Sequence, residues 1–207
     1  MNILQQKYED AIRRTIDINE HMPTLRLYAA ECDSVLELGV RGCVSSWAFL
    51  IGMLEGGRKN PRLFMNDVDE CDISDLVHTV ESLSIPLTLS YEWISDLKLQ
   101  FPAETRFDLV FIDTWHVYGQ LKRELEKFNR IADKYIVLHD TEVDGEYGES
   151  IRMRHNVESM ARKTGIPIEE ITRGLKPAVN EFLAQHPEWT IHAHYKNNNG
   201  LTILKRR

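Results

Sequence analysis

The chain reads as an α/β fold built on a parallel sheet, and three features of the sequence carry that reading. Short apolar runs alternate with segments of helical periodicity from Ser34 to Asp140, the pattern of successive β-α units. The first unit, Ser34–Ser46 (SVLELGVRGCVSS), has the order strand, glycine turn, helix start. That order points backbone N–H groups and the positive end of a helix at a ligand. Finally, acids recur at the carboxyl ends of the runs, namely Glu37, Asp67, Asp96, Asp113 and Asp140. In an open parallel sheet those ends face one crevice, where ligands bind.

Taken in order, Ile3, Leu4, Tyr8, Ala11, Ile12 and Ile16 recur at helical spacing and predict an amphipathic helix over 3–18. Pro23-Thr24 opens a second, short helix over 25–30. Val35–Leu38 is the first strand, and Trp47–Leu54 is the body of a helix stopped by Gly56-Gly57. Arg62–Val68 is a second strand, and a helix runs from Asp72 to Leu83 with acids in its first turn. Pro86–Ser90 makes a short third strand. Phe107–Asp113 is the near-continuous apolar run of a buried parallel strand. Tyr118–Asn129 is a helix with Leu121, Leu125 and Phe128 on one face, and Lys134–Asp140 is a fifth strand. The alternation then stops. A polar stretch with Gly145 and Gly148 leads into a helix over 152–163, and a second helix spans 176–185. Trp189–Tyr195 and Leu201–Leu204 are strands joined by Lys-Asn-Asn-Asn-Gly, whose composition is that of a hairpin turn. With no repeat and no linker, 1–207 is one domain, comprising N-terminal helices over 1–30 and an insert over 145–174.

Bulk properties narrow the function classes. A net charge of -7 argues against a protein that coats nucleic acid. The only basic groupings are Lys205-Arg206-Arg207 and Arg152, Arg154, Arg162, Lys163. No apolar run reaches the ~18 residues that span a bilayer, and the N-terminus lacks the basic start and apolar core of a secretion signal. Cys32, Cys43 and Cys71 lack metal-site spacing and fit reduced thiols in a cytoplasmic setting. The expected partner is a small-molecule substrate. Nucleic acid and membrane are not expected, and homo-oligomerisation stays open.

The glycine turn discriminates between ligands. Asp67 stands one β-α unit after it, the place of the acid that accepts hydrogen bonds from ribose hydroxyls. The glycines are Gly39 and Gly42 only, and the third glycine of a dinucleotide fingerprint is missing. Glu37 would repel a pyrophosphate but suits a ligand with an amino or sulfonium group. These residues favour S-adenosylmethionine over a nicotinamide dinucleotide.

The ordered set of segments resembles the class I S-adenosylmethionine-dependent methyltransferases. VLELGVRG is similar to that family's first motif, MNDVD to its second-strand acid and WISDL to its third-strand acid. FDLVFIDTWHVYGQLKREL resembles the fourth-strand segment of the small-molecule O-methyltransferase branch that includes cephalosporin-hydroxylase-like proteins. YIVLHDT resembles that branch's fifth-strand end, and HPEWTIHAHYKNNNGLTILKR its closing hairpin. The likeness covers 34–140 and 175–206. It implies a Rossmann-like three-layer sandwich on a mostly parallel seven-stranded sheet, with one antiparallel strand from the C-terminal hairpin. It also implies that Glu37, Gly39 and Gly42, with Ser45, cradle the methionine part. Asp67 would hold the ribose, Asp96 would approach the adenine amino group, and Asp113 would touch the cofactor.

Asp113, His116 and Tyr118 form a D-x-x-H-x-Y segment past the fourth strand. In metal-dependent members of the branch, acids matching Asp113 and Asp140 hold a divalent cation. The third ligand stays open among His139, Thr141 and Glu142. Oxygen ligands favour Mg²⁺ or Ca²⁺, and an added imidazole Mn²⁺ or Fe²⁺. The implied activity is O-methylation of a small molecule such as a sugar or natural product, with His116 as candidate general base. The alternative is a hydroxylase-like or non-methylating homologue that serves as a binding or assembly module. The insert over 145–174 is a candidate lid, whose Arg152 and Arg154 would meet an acidic substrate.

Overall fold

Alternating side chains of five apolar runs face two different cores, and this places helices on both sides of one sheet. The computed structural model describes residues 3–207. Its strands are β1 (Ser34–Leu38), β2 (Arg62–Asp67), β3 (Thr88–Trp93), β4 (Phe107–Ile112), β5 (Ala132–His139), β6 (Trp189–Tyr195) and β7 (Leu201–Arg206). They form a seven-stranded sheet in the order β3-β2-β1-β4-β5-β7-β6. β1 to β5 pair in parallel, and β7 runs antiparallel to both β5 and β6. This is the predicted Rossmann-like three-layer arrangement, with a single reversed strand.

One face carries α1 (Ile3–Ile12), α2 (Met22–Ala29), α3 (Val44–Glu55) and α4 (Ser74–Ser82). Val35, Leu63, Met65, Leu109, Phe111, Val137 and Ile203 point into that layer. The other face carries α5 (Tyr118–Phe128) and, beyond three short helices, α9 (Leu175–Gln185), packed on Leu36, Leu38, Val110, Ile112, Ile136, Leu138 and Leu204. The helix α3 is buried along nearly its whole length, so it is apolar all round rather than striped. No helix among the described residues is long and apolar enough to cross a membrane.

The three short helices are α6 (Glu149–Arg152), α7 (Val157–Thr164) and α8 (Ile168–Ile171). They replace the continuous helix expected over 152–163. The break falls at Arg154, whose φ of +54° cannot continue a right-handed helix. Asn156 restarts the chain, its Oδ1 accepting the Ser159 N–H as an N-cap. The first helix also stops early, at Ile12, where Asn19 Nδ2 donates to the Ile12 carbonyl. Residues 13–18 turn over the sheet instead. β3 starts two residues later than expected because Pro86 has no N–H for the ladder. The strand runs on to Trp93, and Asp96 falls on a 3₁₀ turn after it.

Candidate functional site

The sheet reverses its winding between β1 and β4, so the loops after these two strands meet above it. The Asp113 N–H donates to the Leu38 carbonyl, closing the two strand ends together. Gly39 has a φ of +89°, and a Cβ there would lie 1.9 Å from the Asp113 carbonyl oxygen. Only glycine fits. Gly42 is different, since a Cβ would meet nothing closer than Arg14 Nη1 at 3.9 Å. The left-handed conformations of this loop fall instead on Arg41 (φ +43°) and Cys43 (φ +56°).

Asp67 braces the loop. Its Oδ2 accepts the N–H groups of Val40 (2.8 Å) and Arg41 (2.9 Å), and its Oδ1 accepts that of Asp69. Burial opposes ionisation, but these three donors hold the carboxyl below its usual range. Glu37 lies fully buried beneath the loop. Ser45 Oγ donates to its Oε1 at 2.5 Å and Ser46 Oγ to its Oε2 at 2.7 Å. Burial outweighs these donors and pushes the Glu37 carboxyl up to about 8.

Asp96 is turned inward. The Gln120 Nε2 amide lies 3.1 and 3.3 Å from its two oxygens and donates at 2.8 Å to Glu124 Oε1. Thr114 Oγ1 donates to the same Glu124 oxygen. Burial raises both carboxyls, and Asp96 raises Glu124 further.

The ends of β4 and β5 carry a different chemistry. His116 is ringed by acids: its Nε2 lies 3.1 Å from Asp113 Oδ1. Its Nδ1 lies 3.0 Å from Asp140 Oδ2, 3.4 Å from Glu149 Oε2 and 3.6 Å from Asp144 Oδ2. None of those three Nδ1 contacts is aligned as a hydrogen bond. His139 Nδ1 lies 3.2 Å from Asp113 Oδ1 and 3.7 Å from Asp140 Oδ1. Asp140 itself has a φ of +56°, and its buried Oδ1 has no hydrogen-bond partner. Burial works against charge on both imidazoles. The carboxylates win, holding His116 well above its usual range and His139 up to about 9. Asp113 stays far below the ordinary carboxylate range, because His139 and His116 overcome its burial.

Asp113, His139 and Asp140 each place one donor atom within 4.8 Å of the others, and so do His116, Asp140 and Asp144. Asp140 belongs to both groups. The predicted pair Asp113 and Asp140 is therefore brought together, and the imidazole of His139, one of the three candidates left open by the sequence, lies beside it.

These loops open on a cavity of about 1000 Å³ lined by Gly39, Gly42, Ser45, Asp67, Asp96, Asp113, His116 and Asp140 among others. Glu37 is set back behind Ser45. Two further walls complete the cavity, of which the first was not legible in the sequence. Arg14, Ile16, Asp17 and Ile18 form one, held by the hairpin tip, where Asn198 Nδ2 donates to the Ile16 carbonyl. Met160, Lys163 and Thr164 of α7 form the other, so the insert does lie over the crevice. Arg152 does not face substrate space. Its guanidinium grips buried Asp144 with two bonds of 2.7 Å. Arg154, at the break between α6 and α7, is not in the cavity wall either. Glu149 and Asp144 contribute to the His116 cluster without any motif to announce them.

No family model and no curated protein sequence matches the chain. Solved structures do. The SAH-bound methyltransferase PaMTH1 of Podospora anserina superposes with a TM-score of 0.59 at 12% identity, over 100% of this chain and 88% of that one. An O-methyltransferase of Bacillus cereus in complex with SAH gives 0.57 at 13%, over 99% and 89%. The O-methyltransferase TomG of Streptomyces achromogenes, in complex with SAM, gives 0.54 at 13%, over 97% and 89%. The fold is thus that of the class I methyltransferases, and among them it is similar to O-methyltransferases.

Proposed function

We propose that the protein transfers a methyl group from S-adenosylmethionine to an oxygen of a small molecule in the cytoplasm. The observation that supports this best is the continuity of the cavity. It runs from the Gly39–Asp67–Asp96 cradle to the acid-imidazole cluster at the ends of β4 and β5, on a fold whose neighbours are crystallised with SAH or SAM.

Each residue then has a task. Gly39 and Gly42 let the loop backbone approach the methionine part, and Ser45, whose hydroxyl proton is committed to Glu37, offers its oxygen as an acceptor toward it. Asp67 fixes the loop through Val40 and Arg41 and keeps a face toward the ribose. The insert closes over the acceptor and excludes water through α7. In-line methyl transfer asks mainly for alignment and for removal of the acceptor's proton.

The residues fit a divalent cation. Asp140 Oδ1 is buried without a donor, and Asp113 Oδ1 and His139 Nδ1 stand beside it. These three would hold the ion, carboxylates favouring Mg²⁺ and the imidazole Mn²⁺ or Fe²⁺. A cation there supplies a lowered pKa for an acceptor hydroxyl. His116 is the base in this reading only when its imidazole is neutral, and the surrounding acids hold it charged in the metal-free arrangement. That charge favours a second reading, a cofactor-binding module that does not methylate.

Calorimetry of the folded chain with SAM and with SAH tests the first part, and saturable binding of both is expected. Folded protein that binds neither overturns the proposal. Turnover of hydroxylated acceptors with Mg²⁺ or Mn²⁺ separates the enzyme from the module.

A further inference from the structure

The adenine end of the crevice contains an arrangement that the fold alone does not require. Gln120 sits in the first turn of α5, 8% exposed, and lines the cavity beside Ser95 and Asp96. The two ends of its amide are in opposite situations. The Nε2 end faces three carboxyl oxygens, Asp96 Oδ1 and Oδ2 and Glu124 Oε1, within 3.3 Å. The Oε1 end accepts no hydrogen bond from any described residue, and it is not among the buried polar atoms left without a partner. An amide bordered by acceptors on one side has only one stable orientation, with its N–H₂ toward them. The carbonyl oxygen is therefore turned away from the carboxyls.

The same contacts engage Asp96 from the side of α5. Both of its oxygens lie against Gln120, and Lys127 Nζ ties the turn that carries it by donating to the Asp96 and Leu99 carbonyls at 2.7 Å. Glu124, fully enclosed one helical turn along α5, cannot touch a ligand. It can still decide which end of the Gln120 amide the ligand meets.

We propose that Gln120 reads the 6-amino group of the cofactor's adenine through Oε1, and that Glu124 is a positioning residue that fixes the Gln120 amide. The proposal rests on the reading of the crevice as an adenosyl cofactor site. An acceptor oxygen at that point selects a 6-aminopurine, whose exocyclic group donates, over a 6-oxopurine, whose exocyclic group accepts. The selectivity follows from the acceptor's being fixed: an amide free to flip would offer N–H₂ to the oxo group and lose the distinction.

The experiment is calorimetric titration of the whole chain with SAH and with its 6-oxo analogue, S-inosylhomocysteine. The wild type is expected to prefer SAH by at least tenfold. Gln120→Met, which keeps the length of the side chain without its polar end, is expected to cut that preference to about threefold or less by weakening SAH alone. Glu124→Leu should do the same, and Glu124→Gln, which can still accept from Gln120, should restore most of it. The rescue separates positioning from a merely structural role. Should Glu124→Leu unfold, the Gln120→Met and Glu124→Gln ratios still decide the matter. A wild-type ratio in Gln120→Met overturns the proposal while leaving the cofactor site standing, as does loss of the ratio in Asp96→Asn alone. Failure of the wild type to bind either compound overturns the cofactor reading and this proposal with it.

Discussion

The two halves of the crevice handle buried charge in opposite ways. On the β1–β3 side, each carboxyl is either satisfied or kept neutral. Asp67 accepts three backbone N–H groups, Glu37 accepts two hydroxyls with its carboxyl raised to about 8, and Asp96 and Glu124 share Gln120. On the β4–β5 side, acidic side chains crowd two imidazoles whose charged form they favour, and Asp140 Oδ1 and His116 Nδ1 are left unpartnered. The first half leaves one buried carboxyl oxygen, Glu124 Oε2, without a partner, on a group that burial holds protonated, and it suits a largely neutral, directional ligand such as an adenosyl group. The second has an excess of acceptors, which positive charge from outside the protein would balance.

Substitutions that separate the halves test that contrast, and the largest expected effect is on the charged side. Asp140→Ala removes the carboxylate shared by both donor groups. Turnover should fall by roughly 10³-fold, a typical effect of losing a central acid-base or metal-binding group, while the dissociation constant for SAH stays within threefold. Equal losses in binding and turnover would show that the halves are not separable.

Asp67→Ala attacks the other side. It removes the acceptor of the Val40, Arg41 and Asp69 N–H groups; those of Arg41 and Asp69 are exposed to water, and the part-buried Val40 N–H carries the main cost, up to about 1–3 kcal/mol for an unsatisfied buried donor. SAH binding should weaken by roughly 10- to 100-fold, and the melting temperature should fall as well. Binding weakened at unchanged melting temperature would mean that Asp67 serves the ribose and not the loop.

The same contrast explains what could be read from the sequence. The alternation of strands and helices and the crevice at the strand ends were legible, because apolar runs, glycine stops and acids at strand ends are local patterns; the single reversed strand was implied by the resemblance to the methyltransferases, and the sheet order came only from the structure. Gly39, Asp67, Asp113 and Asp140 were legible for the same reason. The N-terminal wall at Arg14–Ile18 was not. Its place depends on a side-chain bond from Asn198, and that residue looks in sequence only like a hairpin turn. Asp144 and Glu149 read as loop and helix-start acids, and only the fold of the insert brings them to His116. Glu37 was identified as important, yet its distance from the ligand and its protonation are set by burial, which no spacing reveals.

Glu37 gives the next, pH-dependent effect. Its folded value of about 8 lies above its ordinary 4.5. The raised value means that the folded state binds the proton more tightly, so stability is greatest below the unfolded value and declines from about pH 4.5 to 8. Glu37→Gln should flatten that decline, by a few kcal/mol at most. A ligand bearing positive charge should bind with release of the proton. SAM affinity should then rise with pH from 6 to 8, by up to about tenfold per unit, and level off above. Glu37→Gln should abolish the slope, and calorimetry in buffers of different ionisation enthalpy would count the proton. A slope that survives the substitution would assign it to the imidazoles of the other half.

Cys43 should give the smallest effect. It opens α3 in a left-handed conformation with φ +56°, a conformation that costs a side-chain-bearing residue about 1–2 kcal/mol. Its thiol is buried, and burial pushes it up to about 12, so it packs rather than reacts. Replacing it tests strain and packing separately. Cys43→Ala keeps the strain and loses the thiol's packing. Cys43→Gly loses the same packing but relieves the strain, offset in part by a more flexible unfolded chain. Glycine should therefore melt above alanine, by about 2–4 °C for a net ~1 kcal/mol in a chain of this size, with both binding SAH as the wild type does. Alanine melting at or above glycine would show that the loop after β1 carries no strain at this position. The conformational constraints on the loop would then lie at Gly39, which faces the backbone of Asp113, and at Arg41.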